Sequence, residues 1–278
     1  MRIWHQSFTD LDAFPLYRNT LAAHIAKVMR GRVEVTVHGL RPGTYPPGLP
    51  PMDVNSIGAM RMIGERQICA AALAAQQAGY DAFALGCFFD PSLHAARSLV
   101  DIPVLGMLES CMLAACSLGR RFAVISLTPF QKMLTEDLAA TYGLSSRMAG
   151  VVAMAPAVNL FDLERSAAVE GIRVRFTAAC EESLALGAEV IIPGDGVLNE
   201  FLVRQGMLRV AGAVVLDALG VLFHHTEFIA RGRAAGVLDV SRSLLYAHPT
   251  AQMLAHAREF HGAFDLNEAD FSGRQPNP

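Results

Sequence analysis

The segment Gly79-Tyr-Asp-Ala-Phe-Ala-Leu-Gly86-Cys87 has a counterpart in Gly187-Ala-Glu-Val-Ile-Ile-Pro-Gly194-Asp195, at a constant offset of 108 residues. Each copy reads as a glycine that ends a helix, an acidic residue, a short apolar strand, a second glycine and one ionisable residue. A further strand is expected after each copy, at 102–105 and at 213–216. Working outward, strands are predicted at 3–6 and 33–38 before the first copy, and at 121–126 and 150–154 before the second. Helices are predicted at about 15–29, 55–78, 129–142 and 163–186, with a last one from 218. The segment 41–51 carries five prolines and two glycines and reads as a loop. From Asn267 onward the polar tail is expected to be peripheral. This βα alternation implies an α/β protein of two related halves, each a parallel sheet flanked by helices. In such sheets ligands bind beyond the carboxyl ends of the strands. Cys87 and Asp195 occupy equivalent strand ends, and if the halves face each other they flank one cleft.

Composition bounds the function. The chain has 278 residues, 52% hydrophobic and 18% charged, with a net charge of −3. That balance suits folded globular domains and argues against a nucleic-acid binder, which needs a dense basic face. No apolar run approaches the roughly 20 residues of a membrane helix. The opening MRIWHQSFTD reads as a first strand and not as a signal peptide, so the cytoplasm is the expected compartment. Five cysteines without a CxxC pair disfavour a disulfide framework and a zinc knuckle. Only two lysines exist, Lys27 and Lys132, and neither is in a convincing setting for a Schiff base. No metal and no cofactor is expected. A small-molecule ligand is, and the sequence is compatible with a homo-oligomer.

Cys87 precedes Phe88-Phe89-Asp90-Pro91, a tight turn into a helix expected to begin near Pro91. A thiol at a helix N-terminus is pulled towards the thiolate. Most free cysteines are simply small buried hydrophobes, and the repeat favours function for this one. Cys69, Cys116 and Cys180 read as packing residues, with Cys111 close to the start of its helix. Asp195, in Pro-Gly-Asp-Gly196, is read either as an acid/base or as a helix N-cap, which Asp fills well. Ser126 and Thr128 end a strand and start a helix, where hydroxyls and free N–H groups could cradle a carboxylate. Gln6, Ser7 and Thr9 hold the matching position in the first half. Asp217 touches ligand or caps the last helix, and Glu109 has the same ambiguity. The adjacent His224 and His225 point about 100° apart on a helix and suit a shared metal poorly.

Gly86-Cys-Phe-Phe-Asp-Pro91, the run Asp101-Ile-Pro-Val-Leu-Gly106 and the stretch Leu118-Gly-Arg-Arg-Phe-Ala-Val-Ile-Ser126 resemble the aspartate/glutamate/hydantoin racemase superfamily, and hydantoin racemases most. The resemblance runs from about residue 2 to residue 235. It implies two pseudo-symmetric α/β domains with the active site between them, one at 1–106 plus 217–278 and the other at 107–216. It also implies cofactor-independent proton transfer at a carbon next to a carbonyl or carboxylate, by one cysteine from each half. Cys87 matches the first cysteine, and Asp195 stands where the second is expected. The family's opening Asn-Pro-Asn-Thr is replaced by Gln6-Ser7-Phe8-Thr9. The implied enzyme is an isomerase pairing Cys87 with Asp195 on a substrate bearing a carboxylate or imide. Single-cysteine decarboxylase or maleate-isomerase-like chemistry, and a relative that binds without turnover, are the alternatives. The implied binding residues are Gln6, Ser7, Thr9, Phe88, Phe89, Ser126, Thr128, Gly196 and Asp217.

Overall fold

The structure is a computed structural model that describes residues 1–273 and the backbone of residues 275 and 276. Two compact units emerge. The first comprises residues 1–86, 90–106 and 223–278, and the second residues 87–89 and 107–222.

In the first unit the chain runs β1 (Arg2–Gln6), α1 (Pro15–Met29), β2 (Glu34–His38), α2 (Pro51–Asn55), α3 (Gly58–Gln77), β3 (Ala82–Leu85), α4 (Leu93–Leu99) and β4 (Val104–Gly106). The second unit is built from α5 (Met107–Leu118), β5 (Phe122–Ser126), α6 (Pro129–Thr141), β6 (Met148–Ala153), α7 (Val169–Ala185), β7 (Val190–Pro193), α8 (Gly196–Arg204), β8 (Arg209–Val210) and β9 (Ala213–Val215). Helix α9 (Ala218–Ala234) starts in the second unit and ends in the first, which α10 (Ala251–His261) and β10 (Gln275–Pro276) complete. The sheets run β10-β2-β1-β3-β4 and β6-β5-β7-β9-β8. Both are parallel except for β10 against β2 and β8 against β9. Strands β3 and β7 are buried along their whole length, which explains why they read as unbroken apolar runs. Residues 68–75 of α3, mostly alanine, are all buried, and α3 packs against β3 and β1.

The repeat holds down to single hydrogen bonds. Gly79 and Gly187 both end their helices in the left-handed region, at φ +75° and +86°, where a Cβ is disfavoured. Asp81 accepts the backbone N–H of Arg2 at 2.7 Å, and Glu189 that of Arg120 at 2.8 Å. Each acidic residue thus ties its strand to the start of the neighbouring one. At the other end Gly86 N–H donates to the Gln6 carbonyl and Gly194 N–H to the Ile125 carbonyl. Ser7 and Thr9 therefore correspond to Ser126 and Thr128.

Four expectations need correction. The helix expected at 55–78 is two, α2 and α3, interrupted at Ser56 and Ile57. The one expected at 163–186 opens in two short 3-10 turns and becomes α-helical only at Val169. The helix after Cys87 begins at Leu93, because Asp90 and Ser92 sit at φ 43° and 55°, outside the helical region. Over its described residues the tail is not peripheral, and residues 274, 277 and 278 lie outside them. Phe271 and Ser272 are buried, Phe271 meets Trp4 edge-on at 5.6 Å, and the backbone of β10 pairs with β2. Glu268 accepts the Tyr80 hydroxyl at 2.8 Å and lies 3.2 Å from His38 Nε2. Glycine-poor polar sequence hid a segment anchored by one aromatic and one carboxylate.

Candidate active site

Asp195 follows β7 and caps α8. Its Oδ1 accepts the N–H groups of Val197 at 2.7 Å and Leu198 at 3.2 Å, and its Oδ2 accepts Gln131 Nε2 at 3.3 Å. A carboxylate so held at a helix start is ordinarily driven well below its usual range. Here burial outweighs those bonds and pushes the group up to about 6. Asp195 is therefore both a cap and a carboxyl held above its usual range.

Gln131 is what orients it. Thr128 caps α6 by accepting Gln131 N–H at 3.2 Å, and Gln131 Oε1 accepts the Leu127 N–H at 2.8 Å, leaving its amide to reach Asp195. The signal was present: Thr128-Pro-Phe-Gln131 is a capping-box spacing, and position 131 went unread as a site residue. Ser126 donates its hydroxyl to the Thr128 carbonyl at 3.1 Å. The hydroxyls of Ser126 and Thr128 thus hold the strand-to-helix turn.

A second unread residue is Asn199, one turn into α8. Its backbone N–H bonds the Asp195 carbonyl, its Oδ1 accepts Ala218 N–H at 2.7 Å, and its Nδ2 donates to Asp217 Oδ1 at 3.2 Å. Asp217 also accepts Gly220 N–H at 3.0 Å, so it caps α9. Gly196, Asn199 and Asp195 are all buried.

Cys87 follows β3 directly and is half-buried. Helix α4 is seven residues long and begins six positions beyond it, so the helix dipole expected to activate this thiol is not at hand. Residues 87–89 group with the second unit, the unit that holds Asp195, Ser126, Thr128, Gly196 and Asp217. Phe88 is buried and meets Phe89 edge-on at 5.9 Å. Cys69, Cys111 and Cys180 are buried, whereas Cys116 is half-buried like Cys87. Burial pushes the thiols of Cys69 and Cys180 up to about 11 and about 12, and Cys111 donates to the Ala218 carbonyl at 3.5 Å.

In the first unit, Gln6 is buried, accepts Trp4 Nε1–H at 2.9 Å and donates to the Ser7 carbonyl. The hydroxyls of Ser7 and Thr9 are buried and make no hydrogen bond among the described residues. They differ from Ser126 and Thr128 because no α-helix starts at Thr9. The chain instead enters a 3-10 turn capped by Asp10. Among the described residues no group of three His, Cys, Asp or Glu side chains could hold a metal ion, and no helix is long and apolar enough to cross a membrane.

The family described as Asp/Glu/Hydantoin racemase matches residues 54–225. The hydantoin racemase of Pseudomonas sp. (strain NS671) is 34% identical over 153 residues, which cover 54% of this chain and 59% of that protein, less than two thirds of its length. The hydantoin racemase of Rhizobium meliloti is 28% identical over 178 residues, covering 64% of this chain and 70% of that one. Among solved structures, allantoin racemase from Klebsiella pneumoniae superposes with a TM-score of 0.73 at 22% identity, over 90% of this chain and 94% of the other. At that identity the superposition establishes the fold. With the family match spanning most of the chain, the protein belongs to the Asp/Glu/hydantoin racemase family.

Proposed function

We propose that this protein is a cofactor-independent isomerase that moves a proton at a carbon next to a carbonyl or carboxylate, with Cys87 and Asp195 as its acid/base pair. The observation that carries the reading is the Asp195 carboxyl, buried, oriented by Gln131 and pushed up to about 6, at the strand end equivalent to that of Cys87. A general acid/base works best when it titrates near the operating pH. In this reading the thiolate of Cys87 takes the α-proton on one face and protonated Asp195 returns one on the other, or the reverse. Backbone donors and the hydroxyls of Ser7 and Thr9 receive the carbonyl or imide oxygen that gains charge. Phe88 and Phe89 give the thiol an apolar surround, and Ser126, Thr128, Gly196 and Asp217 keep the Asp195 turn in place. Hydantoins are the first substrates to try, since the matched relatives act on them by name.

One observation favours a second reading. Both oxygens of Asp195 already accept hydrogen bonds, so the residue could be a cap alone and Cys87 the single working group of a decarboxylase or maleate-isomerase-like enzyme. Exchange of the α-hydrogen of 5-benzylhydantoin in D₂O, followed by NMR, separates the two. The pair predicts that Cys87→Ser and Asp195→Asn each keep exchange of at most one enantiomer and lose racemisation, by about 10²–10⁴-fold for the latter. Full exchange in Asp195→Asn leaves Cys87 as the single group. Carbon dioxide release from a substituted malonate by the parent protein would make it a decarboxylase.

A further inference from the structure

His5 lies in the middle of the first sheet, on β1, where a hydrophobic side chain is expected. It is fully buried, and neither ring nitrogen has a hydrogen-bond partner among the described residues. Leaving a buried polar atom unpaired is costly, so a site that keeps one has a reason beyond packing. The ring rests against Phe223 at 5.5 Å and against Gly86: a Cβ at position 86 would lie 2.0 Å from His5 Nε2. Gly86 is the residue that carries Cys87.

The internal repeat shows what packing alone requires there. The residue equivalent to His5 in the second sheet is Val124, and its Cγ1 faces Gly194 as His5 Nε2 faces Gly86, 3.1 Å from where a Cβ would stand. An aliphatic group therefore meets the steric need of the strand-end glycine. The imidazole at the cysteine-bearing copy is extra. Ser7 stands two residues on, just past the end of β1, and its buried hydroxyl is likewise unpartnered. Burial, with His38 nearby, holds His5 down to about 3, so at neutral pH the ring is uncharged, with one nitrogen able to donate and the other able to accept.

We propose that His5 is a positioning residue for Cys87: through its Nε2 contact with Gly86 it fixes the strand end from which the thiol projects. The proposal rests on Cys87 being the reactive thiol. The ring is a wedge with a polar tip, available to bond the Gly86–Cys87 backbone whenever the strand end moves by tenths of an ångström. Catalytic hydrogen bonds are commonly loose before substrate arrives. Because the nitrogens and not the volume carry this role, a side chain of the same shape without them does not replace it.

The test uses His5→Phe, which keeps a ring without nitrogens, and His5→Gln, whose amide reaches the place of Nε2. Alkylation by iodoacetamide at neutral pH is timed for each cysteine by peptide mass spectrometry, with exchange of 5-benzylhydantoin as a second readout and thermal unfolding as the fold control. Expected are Cys87 labelling at least tenfold slower in His5→Phe, near-parent labelling in His5→Gln, and exchange losing kcat with KM kept in the Phe variant. Equal Cys87 labelling in parent and His5→Phe, both folded, overturns the proposal while leaving Cys87 reactive. Loss in both variants at unchanged melting temperature also overturns it, since rescue by the amide is required. Should His5→Phe fail to fold, His5→Leu replaces it with the same two outcomes. If parent Cys87 labels no faster than Cys69 and Cys180, the reading of Cys87 itself falls.

Discussion

At Asp195 function and stability pull in opposite directions. The carboxyl titrates at about 6 in the fold against an ordinary value of 3.8. A raised folded value means that the protonated form is favoured on folding: the contribution is fully present below pH 3.8 and is lost as pH rises through about 6. At pH 8 the ionised, buried carboxylate is thus a liability of up to about 3 kcal/mol. Asn caps a helix as well as Asp and carries no charge. Asp195→Asn is expected to raise the melting temperature at pH 8 and to leave it nearly unchanged below pH 4, while racemisation collapses. Calorimetry across that range checks it, and a uniform fall in stability would show that the second carboxyl oxygen matters more than its charge. The strand-end glycines give a matched pair. In Gly194→Ala the new Cβ would come 2.6 Å from the Ile125 carbonyl oxygen, which cannot move aside. In Gly86→Ala it meets the His5 ring. Both should cost about 1–3 kcal/mol by chemical denaturation, but only Gly86→Ala should also slow Cys87 labelling.

At the level of elements, the sheets were legible because β3 and β7 are unbroken apolar runs set between glycines, and because an acidic residue marks the same point in each. The repeat also marked Cys87 and Asp195 as occupants of equivalent strand ends. What stayed hidden has a common cause: side chains that act at a distance in sequence. Gln131 and Asn199 are ordinary helix residues until β5, β7 and α9 bring Asp195 and Asp217 beside them. His5 looks like one polar interruption in a strand until Gly86 is laid against it. The C-terminal segment misled for the same reason, since Glu268 finds Tyr80 and His38 across 188 and 230 residues. A prediction belongs to that segment. The single tryptophan, Trp4, stacks on His38 at 3.5 Å and touches Phe271. Phe271→Ala should shift Trp4 emission to the red and cost about 3–5 kcal/mol. Fluorescence-monitored unfolding tests both at once, and unchanged emission would mean that the tail does not shield the ring.

For the whole molecule, acid is the weakness. His5 is held down to about 3 and His38 to about 4, in both cases chiefly by burial. Depressed values mean that their contribution is present above pH 6.5 and drains away as pH falls towards those values. Asp195 works in the other sense between pH 6 and 3.8, yet it is one group against two. Stability should therefore decline steadily from pH 6.5 to 4.5, and His5→Phe should flatten that decline. A flat parent profile would indicate that the histidines find water or partners on protonation. The edge of the first sheet has a different consequence. β2 would present a bare row of amide and carbonyl groups along Thr36 and Val37 were it not for β10, which pairs there antiparallel. Bare edges recruit strands from other molecules. Residues 275 and 276 thus shield that edge from self-assembly, and a chain cut back to Asp265 should form concentration-dependent aggregates that the longer chain does not, as light scattering would record.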